Sequence, residues 1–226
     1  MRIYMNWAEA LSEIKRDLAE MGIKIHPQTY QDKNVAKDPN FDTLEIQNYA
    51  YAVLHPSSGG LKPTQPWADA EFDERITIPP VNPGRAWKLR ENIWVEFMCD
   101  DGKFAYAYSE RFARYNQVHR IIERIKLDPD SRQCYLAVYD PSDIQYMGGV
   151  SRVPCTLGYQ IQIREGKLNL TYLQRSADFI THFQNDTYLA VKMQKHLAEE
   201  TGYPVGRFTH FVLSLHMFRK DAAGVF

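Results

Sequence analysis

The chain has 226 residues, 44% of them hydrophobic and 13% aromatic, which supports a packed core and excludes a disordered chain. With 27 basic and 28 acidic residues its formal charge is -1, which excludes a binder of nucleic acid by bulk charge but not a phosphate site built from a few arginines. Three cysteines, with no CxxC pair and no Cys/His cluster at zinc spacing, point to reduced thiols, no metal and a cytoplasmic setting. No charged segment precedes an apolar core at the N-terminus, and no run approaches the roughly 18 apolar residues of a membrane span, so no membrane partner is expected. The length fits one domain over residues 1–226.

Asn6 is placed to cap a helix ending at Gly22, with Trp7, Leu11, Ile14, Leu18 and Met21 as its apolar stripe. Residues 26–42 are polar turn formers, and residues 43–54 read as a strand stopped by His55-Pro-Ser-Ser-Gly-Gly60. Six prolines between 56 and 83 forbid long regular elements, leaving a long excursion or lid with room for a short helix over 67–75. Residues 93–98 read as a strand. The next helix is expected over 109–126, with Phe112, Tyr115, Val118, Ile122 and Ile125 buried. Asp128-Pro-Asp-Ser-Arg132 is a turn and residues 133–139 a strand. Residues 159–163 and 168–174 form a hairpin about Gly166. A helix over 187–200 and a strand over 207–218 follow. Strands and helices do not alternate strictly, so the fold class is α+β rather than a doubly wound parallel sheet.

The hairpin register carries the chemistry. Pairing 159–164 with 167–172 brings Cys155 beside Arg175, and a guanidinium next to a thiol favours the nucleophilic thiolate. Most cysteines are simply small buried hydrophobes, and that is the expectation for Cys99 and Cys134. Arg175-Ser176 and Ser131-Arg132 are either solvated surface or arginine-hydroxyl clamps for a phosphate. Asp186 sits where a helix N-cap belongs, and His216 lies in an apolar strand where a hydrogen-bonded core histidine is common.

Taken in order, Asp128-Pro-Asp-Ser-Arg132, Pro154-Cys155, Gln174-Arg175-Ser176 with Asp178, and Ser214-Leu215-His216 resemble thymidylate synthase and its relatives, the pyrimidine nucleotide hydroxymethylases. The resemblance covers about residues 104–218. It implies a layered thymidylate synthase-like mixed sheet, an obligate homodimer, and methylenetetrahydrofolate as co-substrate. It implies Cys155 attacking carbon 6 of a pyrimidine nucleoside monophosphate, with Gln174, Arg175 and Ser176 at the nucleotide and its phosphate. Arg132 would reach the partner's phosphate site, Asp178 the folate pterin, and His216 the sugar. Glu71, with Glu74 close behind, is the candidate for organising water and protons.

One position separates substrates. Synthases acting on deoxyuridylate carry Asn thirteenth in the run that begins Gln-Arg-Ser; here Asp186 follows Asn185 at that place, a pattern that resembles the phage deoxycytidylate hydroxymethylases. A carboxylate accepts from the cytosine amino group and favours protonation of the ring nitrogen, which eases attack at carbon 6. The resemblance therefore implies 5-hydroxymethyl-dCMP as product, in the host cytoplasm for a phage protein. A methyl product, a CMP substrate and a non-catalytic nucleotide binder are the alternatives. Two residues depart from the family pattern: Thr156 replaces a histidine after the nucleophile, and Phe218 replaces a sugar-binding tyrosine.

Overall fold

The computed structural model describes residues 1–30, 33–148, 152–222 and 224–225. Its elements in chain order are β1 (Arg2–Tyr4), α1 (Trp7–Met21), β2 (Ile23–Ile25), β3 (Thr29–Tyr30), β4 (Lys33–Asn34), β5 (Thr43–Val53), α2 (Trp67–Arg75), α3 (Glu91–Trp94), α4 (Tyr108–Ala113), α5 (Gln117–Leu127), β6 (Tyr135–Ala137), β7 (Thr156–Arg164), β8 (Lys167–Asp178), α6 (Phe183–Thr201) and β9 (Val205–Phe218). Short 3-10 turns connect several of them. The main sheet runs β1-β5-β9-β8-β7-β6, with β2 paired to β5 and the two-residue strands β3 and β4 apart. It is mixed: β8 and β9 are parallel, joined by the α6 crossover, while β5–β9 and β7–β8 are antiparallel.

Local chemistry explains these elements. The Asn6 side chain accepts from Glu9 N at 3.0 Å, and α1 buries Trp7, Ala10, Ile14 and Leu18 before stopping at Gly22. Met21, expected in the stripe, is exposed. The β7–β8 hairpin turns through Glu165 and Gly166, both at positive φ, as a two-residue turn matched to strand twist requires. Tyr159, Ile161 and Ile163 point to the core while Gln160 and Gln162 face outward. Tyr51, Tyr172, Phe183 and Phe208 pack around His210, and Tyr159 stacks on Tyr172.

Three expectations need correction. Residues 93–98 are not a strand. Glu91–Trp94 is helical and Val95–Phe97 a 3-10 turn, with one isolated bridge from Met98 to Phe104. Packing of Trp94 against Trp67 and Phe104 overrides the strand propensity of this stretch. The helix over 109–126 is broken at Tyr115 and Asn116, both at positive φ, and Tyr115 is exposed rather than buried. Gln117 causes the break, binding Arg111 O at 2.8 Å and clamping Ala137 through both its main-chain groups. Finally, α6 begins at Phe183, not 187, so Asp186 lies in its first turn and does not cap it.

Candidate active site

A cavity of about 750 Å³ opens over the ends of β7, β8 and β9 and the first turn of α6. These form its floor; its walls come from α2, α3 and residues 104–108. The floor is set by main-chain pairing. Thr156 pairs with Gln174, and Arg175 N donates to Cys155 O at 2.7 Å, so the thiol and the guanidinium are neighbours by register. On the other side Ser176 pairs with Ser214 and Asp178 with His216. Cys155, Arg175, Ser176, Asp178, Asn185, Asp186, His216, Phe218 and Glu71 all line this one cavity.

Gln174 is fully buried and links the floor to the core. Its Nε2 donates to Asp186 Oδ2 at 2.9 Å, and its Oε1 lies 3.0 Å from His210 Nε2. Tyr51 Oη lies 2.9 Å from His210 Nδ1. Burial holds His210 down at about 3, so its ring is neutral and carries one N–H. The directions then follow: Tyr51 donates to His210, His210 to Gln174, and Gln174 to Asp186. Burial raises Asp186 above the usual carboxylate range, opposed by His182, Arg75 and the Gln174 bond.

Cys155 is partly buried, and burial pushes its thiol up. Arg152 opposes this most among the nearby charges, ahead of Arg175. The expected arginine effect is present, but burial outweighs it, and its main source is Arg152 rather than Arg175. Cys134 is buried as expected, whereas Cys99 is exposed rather than packed.

Of the two glutamates, Glu74 is committed to local structure, accepting from Arg85 N and from Ala86 N. Glu71 accepts from Arg75 Nε at 2.8 Å and faces the cavity. Arg75 is buried, with its guanidinium 3.8 Å from the Tyr108 ring centre. Tyr108 in turn donates to Thr156 Oγ1 at 3.0 Å, and Thr156 bonds Tyr172. The position after Cys155 is thus a buried hydroxyl in a tyrosine network.

Other candidates are placed as follows. Asn185 is buried and accepts from Thr64 N at 2.7 Å, so its amide anchors the proline-rich segment. Asp178 Oδ1 accepts from Ile180 N and Thr181 N, holding the turn into α6. His216 is partly buried and lowered by that burial, with Asp178 opposing. Phe218 packs edge-on against Tyr30 and Phe41. Ser131 is a turn lock, accepting from Arg124 Nε. Arg132 is exposed and does not line the cavity of its own chain.

Arg75, Arg90, Arg152, Trp67, Trp94, Tyr108 and His182 also line the cavity, and His210 lies beneath it, without a sequence pattern that marks them together. Two had local signals: His182 precedes Asp186 by one helical turn, and Arg152 precedes Cys155 by three residues. The rest are brought in by long-range packing.

Among the described residues no group of His, Cys, Asp or Glu is arranged to hold a metal ion, and no helix is long and apolar enough to cross a membrane.

The family model described as "Thymidylate synthase" matches residues 85–225, more than half of the chain. A thymidylate synthase of Clostridium beijerinckii is 26% identical over 133 residues, 59% of this chain and 49% of that protein. One from Bacillus subtilis subsp. natto is 25% identical over 142 residues, 59% of this chain and 50% of that protein. The chain thus spans about half the length of these relatives. Thermostable thymidylate synthase A from Bacillus subtilis superposes with a TM-score of 0.77 at 19% identity, covering 94% of this chain and 80% of that one, which shows the fold. The relatives named here are synthases, and the hydroxymethylase likeness rests on Asp186 alone. The floor built from Cys155, Gln174, Arg175, Ser176 and His216 lies inside the matched region, and the chain belongs to the thymidylate synthase family.

Proposed function

We propose that this protein transfers a one-carbon unit from methylenetetrahydrofolate to carbon 5 of a cytidine monophosphate, dCMP in the first instance, giving 5-hydroxymethyl-dCMP. The observation that carries the base assignment is Asp186, a carboxylate on the same cavity as Cys155 with one oxygen fixed by Gln174. It accepts from the cytosine amino group, and its raised proton affinity suits it to share a proton with ring nitrogen 3.

The Cys155 thiolate adds to carbon 6 and the electron pair moves to carbon 5, which bonds the one-carbon unit and loses its proton; water then adds to the resulting methylene, and the Cys155–carbon 6 bond breaks to return the thiolate and the ring double bond. Arg175 and Ser176 hold the phosphate, and His216 faces the sugar. Glu71, oriented by Arg75, positions the water that becomes the hydroxyl. The cavity is large enough for a nucleotide and a second planar ligand, with Trp87, Trp94, Phe97 and Phe104 as an aromatic wall and Asp178 at its floor. Methylenetetrahydrofolate, when bound, supplies the one-carbon unit there.

A second copy of the chain completes the site in this reading. Arg132 is exposed and does not line its own cavity, and Leu173, Phe211 and Leu213 on the outer sheet face are at least partly exposed. A methyl product is the second reading, favoured by the synthase names of the relatives. Incubation with dCMP, CMP, dUMP and UMP plus methylenetetrahydrofolate, followed by mass spectrometry, tests all of this. A hydroxymethyl adduct on dCMP is expected; modification of dUMP alone sinks the base assignment.

A further inference from the structure

A buried polar line crosses the sheet beneath the cavity. Tyr51 on β5 and His210 on β9 are cross-strand partners, Tyr172 on β8 pairs with His210 from the other side, and Gln174 follows Tyr172 by two residues on the same face. Tyr51 Oη, His210 and Gln174 are thus joined across three strands, at 2.9 Å and 3.0 Å, before the line leaves the sheet for Asp186 on α6 at 2.9 Å. Tyr51, His210 and Gln174 are fully buried, and burial keeps the imidazole neutral. The His210 ring stacks on Tyr172 with centroids 4.5 Å apart and on Phe183 at 5.5 Å, and this packing holds its two nitrogens in place.

A neutral line of this kind has two settings. In one, each member donates toward Asp186, and Gln174 offers an N–H to Oδ2. In the other, each donates toward Tyr51; the amide is turned, its carbonyl faces Asp186, and the carboxyl must carry a proton on Oδ2 to meet it. The settings differ in where a proton on Asp186 resides. With an N–H of Gln174 on Oδ2, that proton is directed to Oδ1, which makes no hydrogen bond among the described residues, on a side chain that lines the cavity. With the amide turned, Gln174 holds the proton and withdraws it from a ligand. His182 on the same helix, Arg75 on α2, Arg90 and Arg152 bear on how readily Asp186 takes a proton. The line decides which oxygen receives it.

We propose that Tyr51 and His210 are positioning residues for base recognition: the phenol hydrogen on Nδ1 keeps the imidazole proton on Nε2, which locks Gln174 with its N–H toward Asp186 and leaves the Asp186 proton to the ring nitrogen of the pyrimidine. As the Cys155 thiolate adds to carbon 6, the proton passes from Oδ1 to ring nitrogen 3, and Gln174 steadies the carboxylate left behind. The proton returns when the Cys155–carbon 6 bond breaks. The proposal deepens the functional reading above. It rests on that reading for the use of the proton, not for the direction of the line.

Nitrogen NMR of the isotope-labelled whole chain reads the His210 tautomer without any ligand. The wild type is expected as the neutral Nε2–H form. Tyr51→Phe removes only the hydroxyl, leaves Nδ1 against carbon, and is expected as a mixture of the two neutral forms. Calorimetry then compares dCMP with its 3-deaza analogue, which keeps the amino group and the phosphate and has a C–H in place of ring nitrogen 3. The wild type prefers dCMP by at least about tenfold and Tyr51→Phe by less than about threefold, the difference made by one well-placed hydrogen bond. Deoxyribose 5-phosphate binds both proteins alike, which reports an intact fold and phosphate end. A wild-type His210 in the Nδ1–H form, or charged, at neutral pH overturns the proposal and needs no variant. A dCMP preference unchanged in Tyr51→Phe overturns it as well. If the wild type binds no pyrimidine monophosphate while His210 is the Nε2–H form, the functional reading fails and the direction of the line stands.

Discussion

Gln174 spends both ends of its amide on fixing one carboxylate: Nε2 donates to Asp186 at 2.9 Å while Oε1 is held by His210. Because a neutral His210 has only one N–H to give, the amide cannot turn over without leaving two buried groups unpaired. Asp186 is thereby presented to the cavity as an acceptor. Replacing Asp186 by Asn substitutes an amide that can serve uracil as well as cytosine. Relative kcat/KM for dUMP over dCMP should rise by ~10²-fold or more, since a mismatched buried polar pair is a strong discriminator. Stability should hold, because Asp186 does not cap α6. Unchanged base preference would remove Asp186 from base reading.

The same chain makes stability depend on pH in a definite direction. In the unfolded chain His210 titrates at its ordinary value of 6.5, while in the fold it is held at about 3. Above 6.5 both forms are neutral and the full stability is present. Below it the unfolded chain binds a proton that the fold does not, so this residue removes about 1.4 kcal/mol per pH unit down to pH 3. His182 and His216 act in the same direction, and Asp186, shifted upward, acts in the opposite one, its contribution being present at low pH and lost as pH rises. Urea unfolding of the wild type and His210→Gln between pH 7.5 and 4.5 isolates the residue: the variant's stability should fall less steeply. Parallel slopes would contradict a neutral buried imidazole.

Cys155 should be a slow nucleophile in the free protein. Burial raises its thiol above the ordinary 9.0, against the pull of Arg152 and Arg175. Alkylation by iodoacetamide should therefore keep accelerating above pH 9 instead of levelling off near neutrality. Cys155→Ala should abolish turnover and keep nucleotide affinity, measured by calorimetry. Full turnover in that variant would end the covalent mechanism.

The Glu71–Arg75 pair should separate stability from catalysis. Arg75 is buried against Tyr108, so Arg75→Met strands Glu71 and costs about 3–5 kcal/mol in denaturant unfolding. Glu71→Gln keeps a hydrogen-bond acceptor for Arg75, costs less, and should lower kcat by ~10²-fold or more with KM little changed. An equal loss of stability in both variants, with kcat untouched, would make the pair structural only.

Arg132 is tested by mixing. Arg132→Ala and Cys155→Ala chains are each inactive alone in the proposed shared site, and a dimer of one with the other has one complete site. Activity that appears on mixing after mild unfolding and refolding shows donation across the interface. Two active parents, or a dead mixture that still dimerises, would refute it.

How far the sequence carries depends on the range of the forces involved. The Cys155–Arg175 neighbourhood was legible because alternating strands and a glycine turn fix a hairpin register locally. The start of α6 was misread because Asp is a good cap, whereas the actual entry is organised upstream by Asp178 holding the amides of Ile180 and Thr181. The break at Tyr115 was invisible because Gln117 acts on β6, twenty residues away in sequence. Arg90, Arg152 and Trp67 come together only through tertiary packing of a proline-rich stretch with no periodicity to read.

The main-chain bond between Arg175 N and Cys155 O has a wider consequence. The reactive floor is tied into the sheet by backbone, while the wall facing it is made of side chains from short turns and helices between residues 67 and 108. The two halves answer to different constraints. Substitutions in the wall can retune which second molecule enters without moving the sulfur, whereas a one-residue slip in the strands would turn every floor side chain to the opposite face. In the proposed reaction the co-reactant can therefore change far more readily than the point of attack.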